Sequence, residues 1–270
     1  MSYLDQLFSL QDRLVVITGA GGALAGSLAQ AYLQAGARVA LWVHRTEACA
    51  PLQEKFSPLA TNGQLFVTVA DTNDANQVDK AFVATRNALG LPNVLVNAAG
   101  GNQGKSPFTD LDLDQFDRVL KLNLLAGLVV PTRHFTRIWT AEGVRGCSVL
   151  NIASMGSFVP LSGVWAYNAA KAAVLNLTVG LAKEFGPVGI RVNALAPGFF
   201  VGQQNRALLY QEDGQLSARG QNILSRTPFG RFGALEECQG AALFLSSDKA
   251  AGFITGVTLP VDGGFLADNI

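Results

Sequence analysis

Leu14-Val-Val-Ile-Thr-Gly-Ala-Gly-Gly-Ala-Leu-Ala-Gly26 is the stretch on which the fold turns. Its first half is a continuous apolar run with three β-branched residues, which reads as a strand over Arg13–Thr18 covered on both faces. Small residues follow without a break from Gly19 to Ala23, and a helical pattern begins near Ala23 and runs to Ala35. Small residues at such a junction allow a tight turn and close backbone approach. The amides at the start of the helix are then free to meet a phosphate. Gly19, Gly22 and Leu24 occupy the positions where that contact is made. A glycine-rich turn by itself is an ordinary strand–helix connection as readily as a dinucleotide site, so the rest of the chain has to decide.

Outward from this turn the same alternation continues to the C-terminus. Six further strands are expected at Arg38–Val43, Gln64–Ala70, Asn93–Asn97, Ser148–Ala153, Ile190–Ala196 and Val257–Val261. Helical stretches lie between them near Asn73–Leu89, Asp112–Thr140, Gly163–Phe185 and Leu235–Ser246. Strand–helix alternation of this kind predicts an α/β fold, a doubly wound parallel sheet of about seven strands with helices on both faces. No Pro/Gly/Ser linker, charge block or repeat divides the chain, so residues 1–270 read as one domain. The long irregular interval from Pro197 to Gly233 is expected to act as a substrate lid, at about residues 199–233.

Composition narrows the function classes. The 20 Lys and Arg balance the 20 Asp and Glu, which leaves no electrostatic footprint for nucleic acid or an anionic membrane. With 49% apolar and 15% charged residues the chain is not disordered. The best apolar run, Leu122 to Val130, stops at Pro131, far short of the roughly 18 residues a membrane span needs. The first residues carry Asp5 and no basic stretch, so a cytoplasmic location is expected. Three widely spaced cysteines, Cys49, Cys147 and Cys238, read as inert thiols. His44 and His134 have no ligand-like spacing, and no catalytic metal is expected.

The ends of successive strands gather the remaining cofactor signals, as a switch-point crevice requires. Asp71-Thr72 follows the third strand, with a carboxylate able to accept an adenine amino proton, or else to cap the next helix. Asn97-Ala98-Ala99-Gly100 ends the fourth, again with small residues where backbone must approach a ligand. After the second strand the chain reads Leu41-Trp-Val-His44-Arg45, with no acid for ribose hydroxyls and two potential cations instead. That favours a 2′-phosphate, hence NADP with NAD as the alternative, unless Arg45 is only a solvated loop residue.

Tyr167-Asn-Ala-Ala-Lys171 lies in a helical pattern, which puts the phenol and the ammonium on one face a turn apart. With 4 tyrosines in the chain, an accidental pair of this spacing is expected in about one such chain in ten. A nearby ammonium favours the phenolate, and bringing a phenol near neutrality takes about 4 kcal/mol. Ser154, at the end of the fifth strand, can donate a hydrogen bond to a substrate carbonyl. Trp165, Phe199 and Phe200 flank the same region, as core packing or as pocket lining.

Taken in order, the Thr18–Gly26 turn, Asp71, Asn97-Ala-Ala-Gly100, Asn123 within Lys-Leu-Asn, Ser154, Tyr167-x-x-x-Lys171 and Pro197-Gly198 resemble the short-chain dehydrogenase/reductase family over essentially the whole chain. The resemblance implies a Rossmann fold and an NAD(P)-dependent exchange between a secondary alcohol and a ketone. It implies that Tyr167 is the acid/base, that Ser154 orients the carbonyl, and that Lys171 holds the ribose and lowers the Tyr167 pKa. Asn123 would position a water that links Lys171 to solvent.

Asn97-Ala-Ala-Gly-Gly-Asn102, Pro197-Gly-Phe-Phe200, Gln204-Asn-Arg-Ala-Leu-Leu209 and Arg226-Thr-Pro-Phe-Gly-Arg-Phe-Gly233 resemble the D-mannonate oxidoreductase (fructuronate reductase) branch. That implies a sugar-acid substrate, with Asn102, Ser154, Asn205 and Arg206 as its contacts and Gln204 beside them. It also implies a homotetramer formed through the two long helices and the Pro260–Gly264 segment. A gluconate-type polyol, a 3-oxoacyl thioester, or nucleotide sensing without turnover are the competing readings.

Two departures bear on the site. Ala23 and Ala25 stand where the family's loop often has Gly, and left-handed backbone at either would cost roughly 1 kcal/mol. Phe199-Phe-Val-Gly202 stands where the family often has a Thr that contacts the nicotinamide amide.

Overall fold

The computed structural model describes residues 2–61, 63–202 and 206–268. Strands β1 (Leu14–Thr18), β2 (Arg38–Val43), β3 (Leu65–Val69), β4 (Val94–Asn97), β5 (Cys147–Ile152), β6 (Ile190–Pro197) and β7 (Thr258–Val261) form one sheet. Their order is β3-β2-β1-β4-β5-β6-β7 and every neighbouring pair is parallel. The chain runs outward from β1 to β3 and then returns to β4, so a crevice opens where β1 and β4 diverge at their C-terminal ends.

Helices on the two faces complete the fold. They are α1 (Tyr3–Phe8), α2 (Ala23–Gln34), α3 (Cys49–Phe56), α4 (Ala75–Leu89), α5 (Leu113–Leu120), α6 (Val130–Ala141), α7 (Trp165–Phe185), α8 (Arg206–Leu209), α9 (Ala218–Ser225), α10 (Gln239–Ser246) and α11 (Asp248–Ala251). Side chains alternate along β1. Val15 and Ile17 pack with Leu28 and Tyr32 of α2 and Leu245 of α10. Leu14 and Val16 pack with Phe82 of α4 and with Phe135 and Trp139 of α6. This two-residue period is what lets one apolar strand serve two cores. Trp139 is fully buried and its indole donates to Pro92 O at 2.7 Å, so its polar edge is satisfied. Truncation of such a side chain costs about 3–5 kcal/mol.

Three expectations are corrected. The single helix expected over Asp112–Thr140 is continuous but changes register, because Lys121–Val129 is π-helical between α5 and α6. The wide register ends at Pro131, which has no amide hydrogen to give. The interval after Pro197 is not wholly irregular, since it holds α8 and α9. Helix α3 was not foreseen, because Pro51 reads as a breaker whereas in the first turn of a helix it is tolerated. No helix among the described residues is long and apolar enough to cross a membrane.

Candidate active site

The glycine turn is shaped by what lies against it. Gly19 has φ +62°, and a Cβ there would sit 2.6 Å from Ala99 Cα, so only glycine lets the β1 and β4 loops close on each other. Thr18 Oγ1 fastens the same junction by accepting from the amides of Ala98 (3.1 Å) and Ala99 (3.3 Å). Gly22 is the N-cap of α2 and brings no side chain to it, so the first-turn amides, including that of Leu24, are left without a side-chain cap. A dinucleotide phosphate fits that cradle. Ala23 and Ala25 lie within α2, and no non-glycine residue has positive φ among the described residues, so the two alanines carry no strain.

The adenosine end is more mixed. Asp71 does not cap α4, a role that belongs to Asp74. Asp71 instead accepts from the Asn73 amide at 2.9 Å and lies 3.9 Å from His44 Nδ1. Thr72 is buried beside it. Arg45 is exposed, and its guanidinium has no hydrogen-bond or ion-pair partner among the described residues. Asn97 is buried, with its amide nitrogen committed to Thr132 Oγ1 (2.8 Å) and Asn151 Oδ1 (2.9 Å). Asn151 passes the chain on to Thr178 Oγ1 at 2.9 Å, so this polar ladder ties β4 and β5 to α6 and α7. The Asn97 side chain is therefore structural, and the small backbone of Ala98 to Gly100 is what faces the crevice. At the far side, Gly198 donates to Val261 O at 2.9 Å. A Cβ at Gly198 would strike Asp262, which accounts for the glycine after Pro197.

The residues expected to carry chemistry converge at the ends of β4 and β5 and on the first turns of α7. Ser154 Oγ accepts from the Gly156 amide at 3.1 Å, which fixes the hydroxyl at the mouth of the crevice. Its hydrogen bond to Tyr167 favours the phenolate, while burial of the phenol pushes the pKa up from 10 and outweighs that bond. Lys171 Nζ donates to Ile152 O at 2.7 Å and lies 5.7 Å from the centre of the Tyr167 ring. Burial depresses its pKa from 10.5 to about 8.

Asn123 stands in the π-helical stretch. Its amide donates to Val119 O (2.9 Å) and Gly101 O (2.7 Å), and its Oδ1 accepts from the Gly101 amide (3.0 Å). A Cβ at Gly100 would sit 2.7 Å from Asn123 Oδ1 and 3.6 Å from Lys171 Nζ, so loop, asparagine and lysine meet at one point. Gly127 lets the helix approach equally closely, since a Cβ there would be 2.7 Å from Ala99 O. A widened helical turn at a functional asparagine is a recurrent device.

A cleft of about 360 Å³ is walled by Lys105, by 159–162, by Phe199, by α9 with Arg226 at its end, and by Phe265, Leu266 and Asp268. Asn168, next to Tyr167, pins the 159–162 wall by bonding Leu161 N (3.2 Å) and Leu161 O (2.8 Å). Phe199 lines the cleft against Phe265, whereas Trp165 is spent on holding its own loop through Ser106 O (3.0 Å). The substrate contacts expected from sequence fare differently. Asn102 is exposed and donates to Gly104 O at 2.9 Å, and Arg206 stacks 5.0 Å from the centre of the Tyr210 ring. Neither lines the cleft. Asn205, with Gln204, lies outside the described residues. Sequence reasoning missed Thr18, Asn151, Asn168, Lys105, Arg219 and Arg226. For the last two a signal existed, the N-cap Ser217 before a helical period.

A family model described as enoyl-(acyl carrier protein) reductase matches residues 19–266. An uncharacterized oxidoreductase of Haemophilus influenzae is 37% identical over 276 residues, covering 96% of this chain and 95% of that one. A solved structure from Haemophilus influenzae, described as a "putative D-mannonate oxidoreductase" with bound NAD, is 35% identical with a TM-score of 0.89, covering 98% of this chain and 99% of that one. A gluconate 5-dehydrogenase of Burkholderia cenocepacia, in complex with NADP and tartrate, is 31% identical with a TM-score of 0.88 at the same coverage. With its parallel sheet and this match over nearly the whole length, the chain belongs to the short-chain dehydrogenase/reductase family and is an NAD(P)-dependent oxidoreductase.

Proposed function

We propose that this oxidoreductase interconverts a sugar acid and its ketone, with D-mannonate and D-fructuronate as the pair, and that it prefers NADP to NAD. The observation that carries the substrate class is the cleft whose 159–162 wall is pinned by Asn168, the neighbour of Tyr167, and which at about 360 Å³ suits a six-carbon acid better than a long acyl chain. Its similarity to a candidate mannonate oxidoreductase and a gluconate dehydrogenase points the same way. A gluconate-type acid is the second reading, favoured by the Burkholderia relative.

A reduced nicotinamide dinucleotide held by the 19–24 turn, the 98–100 loop and Lys171 would supply the hydride for reduction of the carbonyl. Ser154 donates a hydrogen bond to the carbonyl oxygen and holds it next to Tyr167. Tyr167 gives its phenolic proton to that oxygen, so the carbonyl gains one hydride and one proton and becomes the alcohol. Lys171, whose pKa near 8 lets it release a proton near neutrality, returns one to the tyrosine and is itself reprotonated from solvent through a water that Asn123 positions. In the other direction Tyr167 accepts the alcohol proton. Arg45 takes a 2′-phosphate as a charge-assisted partner, while His44 turns toward Asp71.

We read residues 199–233 as a lid over this cleft and the enzyme as a cytoplasmic homotetramer. Exposed Leu125 and Val179 on the long helices and Phe253, Val257 and Leu259 near β7 support the assembly. Oxidation of NADPH and NADH should be followed against D-fructuronate, a keto-gluconate, a neutral keto-sugar and a 3-oxoacyl thioester. Highest efficiency with D-fructuronate and NADPH is expected. Highest efficiency with the thioester or the neutral sugar overturns the reading.

A further inference from the structure

Helix α9 presents Arg219, Asn222 and Ile223 to the cleft, and Arg226, the C-cap residue just past its last turn, lines the cleft beside them. The three helical positions are spaced i, i+3 and i+4, so they form one stripe that Arg226 extends at its C-terminal end. Two things hold this stripe in place. Ser217 Oγ caps the helix by accepting from Gly220 N at 3.0 Å, and Thr227 Oγ1 donates back to Ile223 O at 2.8 Å. Gly220 permits close packing on α8, since a Cβ there would lie 2.4 Å from Leu209 O. The stripe is thus anchored at Ile223 and Gly220, with an arginine at each end.

Opposite α9 stands Lys105. Its stem packs against Gly163, and Ser106 N donates to Gly163 O at 3.1 Å, two residues before α7 begins. Lys105 is therefore held within a turn of the helix that carries Tyr167. Three cations and one acid, Asp268, line the cleft, an excess of positive charge in a chain that is neutral overall. Several arginines elsewhere are neutralised, namely Arg86 by Glu142 (2.6 Å), Arg191 by Asp248 (2.9 Å) and Arg231 by Glu237 (2.7 Å). The side chains of Lys105, Arg219 and Arg226 are exposed, and none has a hydrogen-bond or ion-pair partner among the described residues. Exposed cations that converge on one cleft without a counter-charge are arranged for an anion that is not part of the chain.

We propose that Arg219 and Arg226, with Lys105 across the cleft, receive the substrate's carboxylate, and that Arg206 does not. This rests on the sugar-acid reading above. The carbonyl then lies at Ser154 and Tyr167 and the acid group reaches toward α9, with Ser162 and Asn222 available to the hydroxyls between. Arg206 is occupied on the other side of the segment, over Tyr210, whose ring in turn meets Phe232 at 5.8 Å.

The test compares D-fructuronate with its uncharged amide in the wild type, Arg219→Ala, Arg226→Ala, Arg226→Lys and Arg206→Ala. The two alanine variants are expected to raise KM for the acid roughly tenfold or more, with kcat changed less than about threefold and KM for the amide unchanged. Arg226→Lys should recover part of the loss, and Arg206→Ala should behave as wild type. Equal effects on acid and amide, or no effect on the acid, overturn the proposal. A second measurement separates this from failure of the substrate reading: inhibition of the NADP-loaded enzyme by tartrate, a small polyhydroxy carboxylate, under whichever ketone it reduces best. If the wild type reduces no sugar acid, the substrate reading fails. The arginine site still stands if tartrate inhibition weakens roughly tenfold in both alanine variants, and falls if it does not.

Discussion

At the catalytic corner the polar side chains are anchored largely to main chain. Lys171 reaches Ile152 O, Asn123 holds both backbone groups of Gly101, and Ser154 accepts from Gly156 N. Across the cleft, α9 is anchored by its cap and its buried Ile223, but the guanidinium groups of Arg219 and Arg226 have no hydrogen-bond or ion-pair partner among the described residues. Buried groups bonded to backbone lose their freedom on folding and stand ready for a reacting atom. Exposed cations keep their freedom and give it up only when a counter-charge arrives. On the reading proposed above, the chemistry is built into the sheet and recognition of charge is left to the segment between β6 and β7.

Breaking the fixed side has the larger consequences. Tyr167→Phe removes only the ionisable oxygen, so turnover should fall roughly a thousandfold while NADPH binding, followed by fluorescence, is retained. Near-wild-type activity in that variant would remove Tyr167 from its role.

Lys171 allows a stability test of the same corner. Its folded pKa of about 8 lies below the unfolded 10.5, so the unfolded chain binds more protons between those values. Wild-type stability relative to Lys171→Met should therefore rise as pH increases from 8 to 10.5, by up to about 3 kcal/mol. Urea unfolding at several pH values reads this, and a flat difference would mean that the ammonium is not buried as described.

Smaller effects probe the cofactor end. Gly19→Ala forces a methyl into left-handed backbone against Ala99 and should cost about 1–2 kcal/mol in unfolding free energy, together with weaker NADPH binding. Arg45→Ala should lower the ratio of NADPH to NADH efficiency by about tenfold, the value of one charge-assisted contact. An unchanged ratio would mean that Arg45 is only a solvated residue.

The fixed side was also the legible side. All seven strands could be read because each is a short apolar run ended by small residues, and Ser154, Tyr167 and Lys171 could be placed because their spacing is local. What could not be read depends on contacts distant in sequence. The ladder from Asn97 through Asn151 to Thr178 joins residues up to 54 positions apart, and nothing local marks Asn97 as structural. The π-helical stretch at Asn123 packs against the 99–101 loop, through Gly127 beside Ala99 O and Asn123 on Gly101, contacts that no local pattern announces. On the recognition side, Arg206 drew attention because it stands in a family-like motif, yet Tyr210 one turn later claims it. The stripe on α9 was hidden because Gly220 and four polar residues make a helix of that length read as loop.

The measurement that addresses this separation most directly is steady-state reduction of D-fructuronate and of its uncharged amide by the wild-type enzyme with NADPH at pH 7. If chemistry and charge recognition are housed apart, kcat for the two substrates should agree within about threefold while KM for the amide is at least roughly tenfold higher. Equal KM values with a lower kcat for the amide would contradict it, because the carboxylate would then be acting on the chemical step itself.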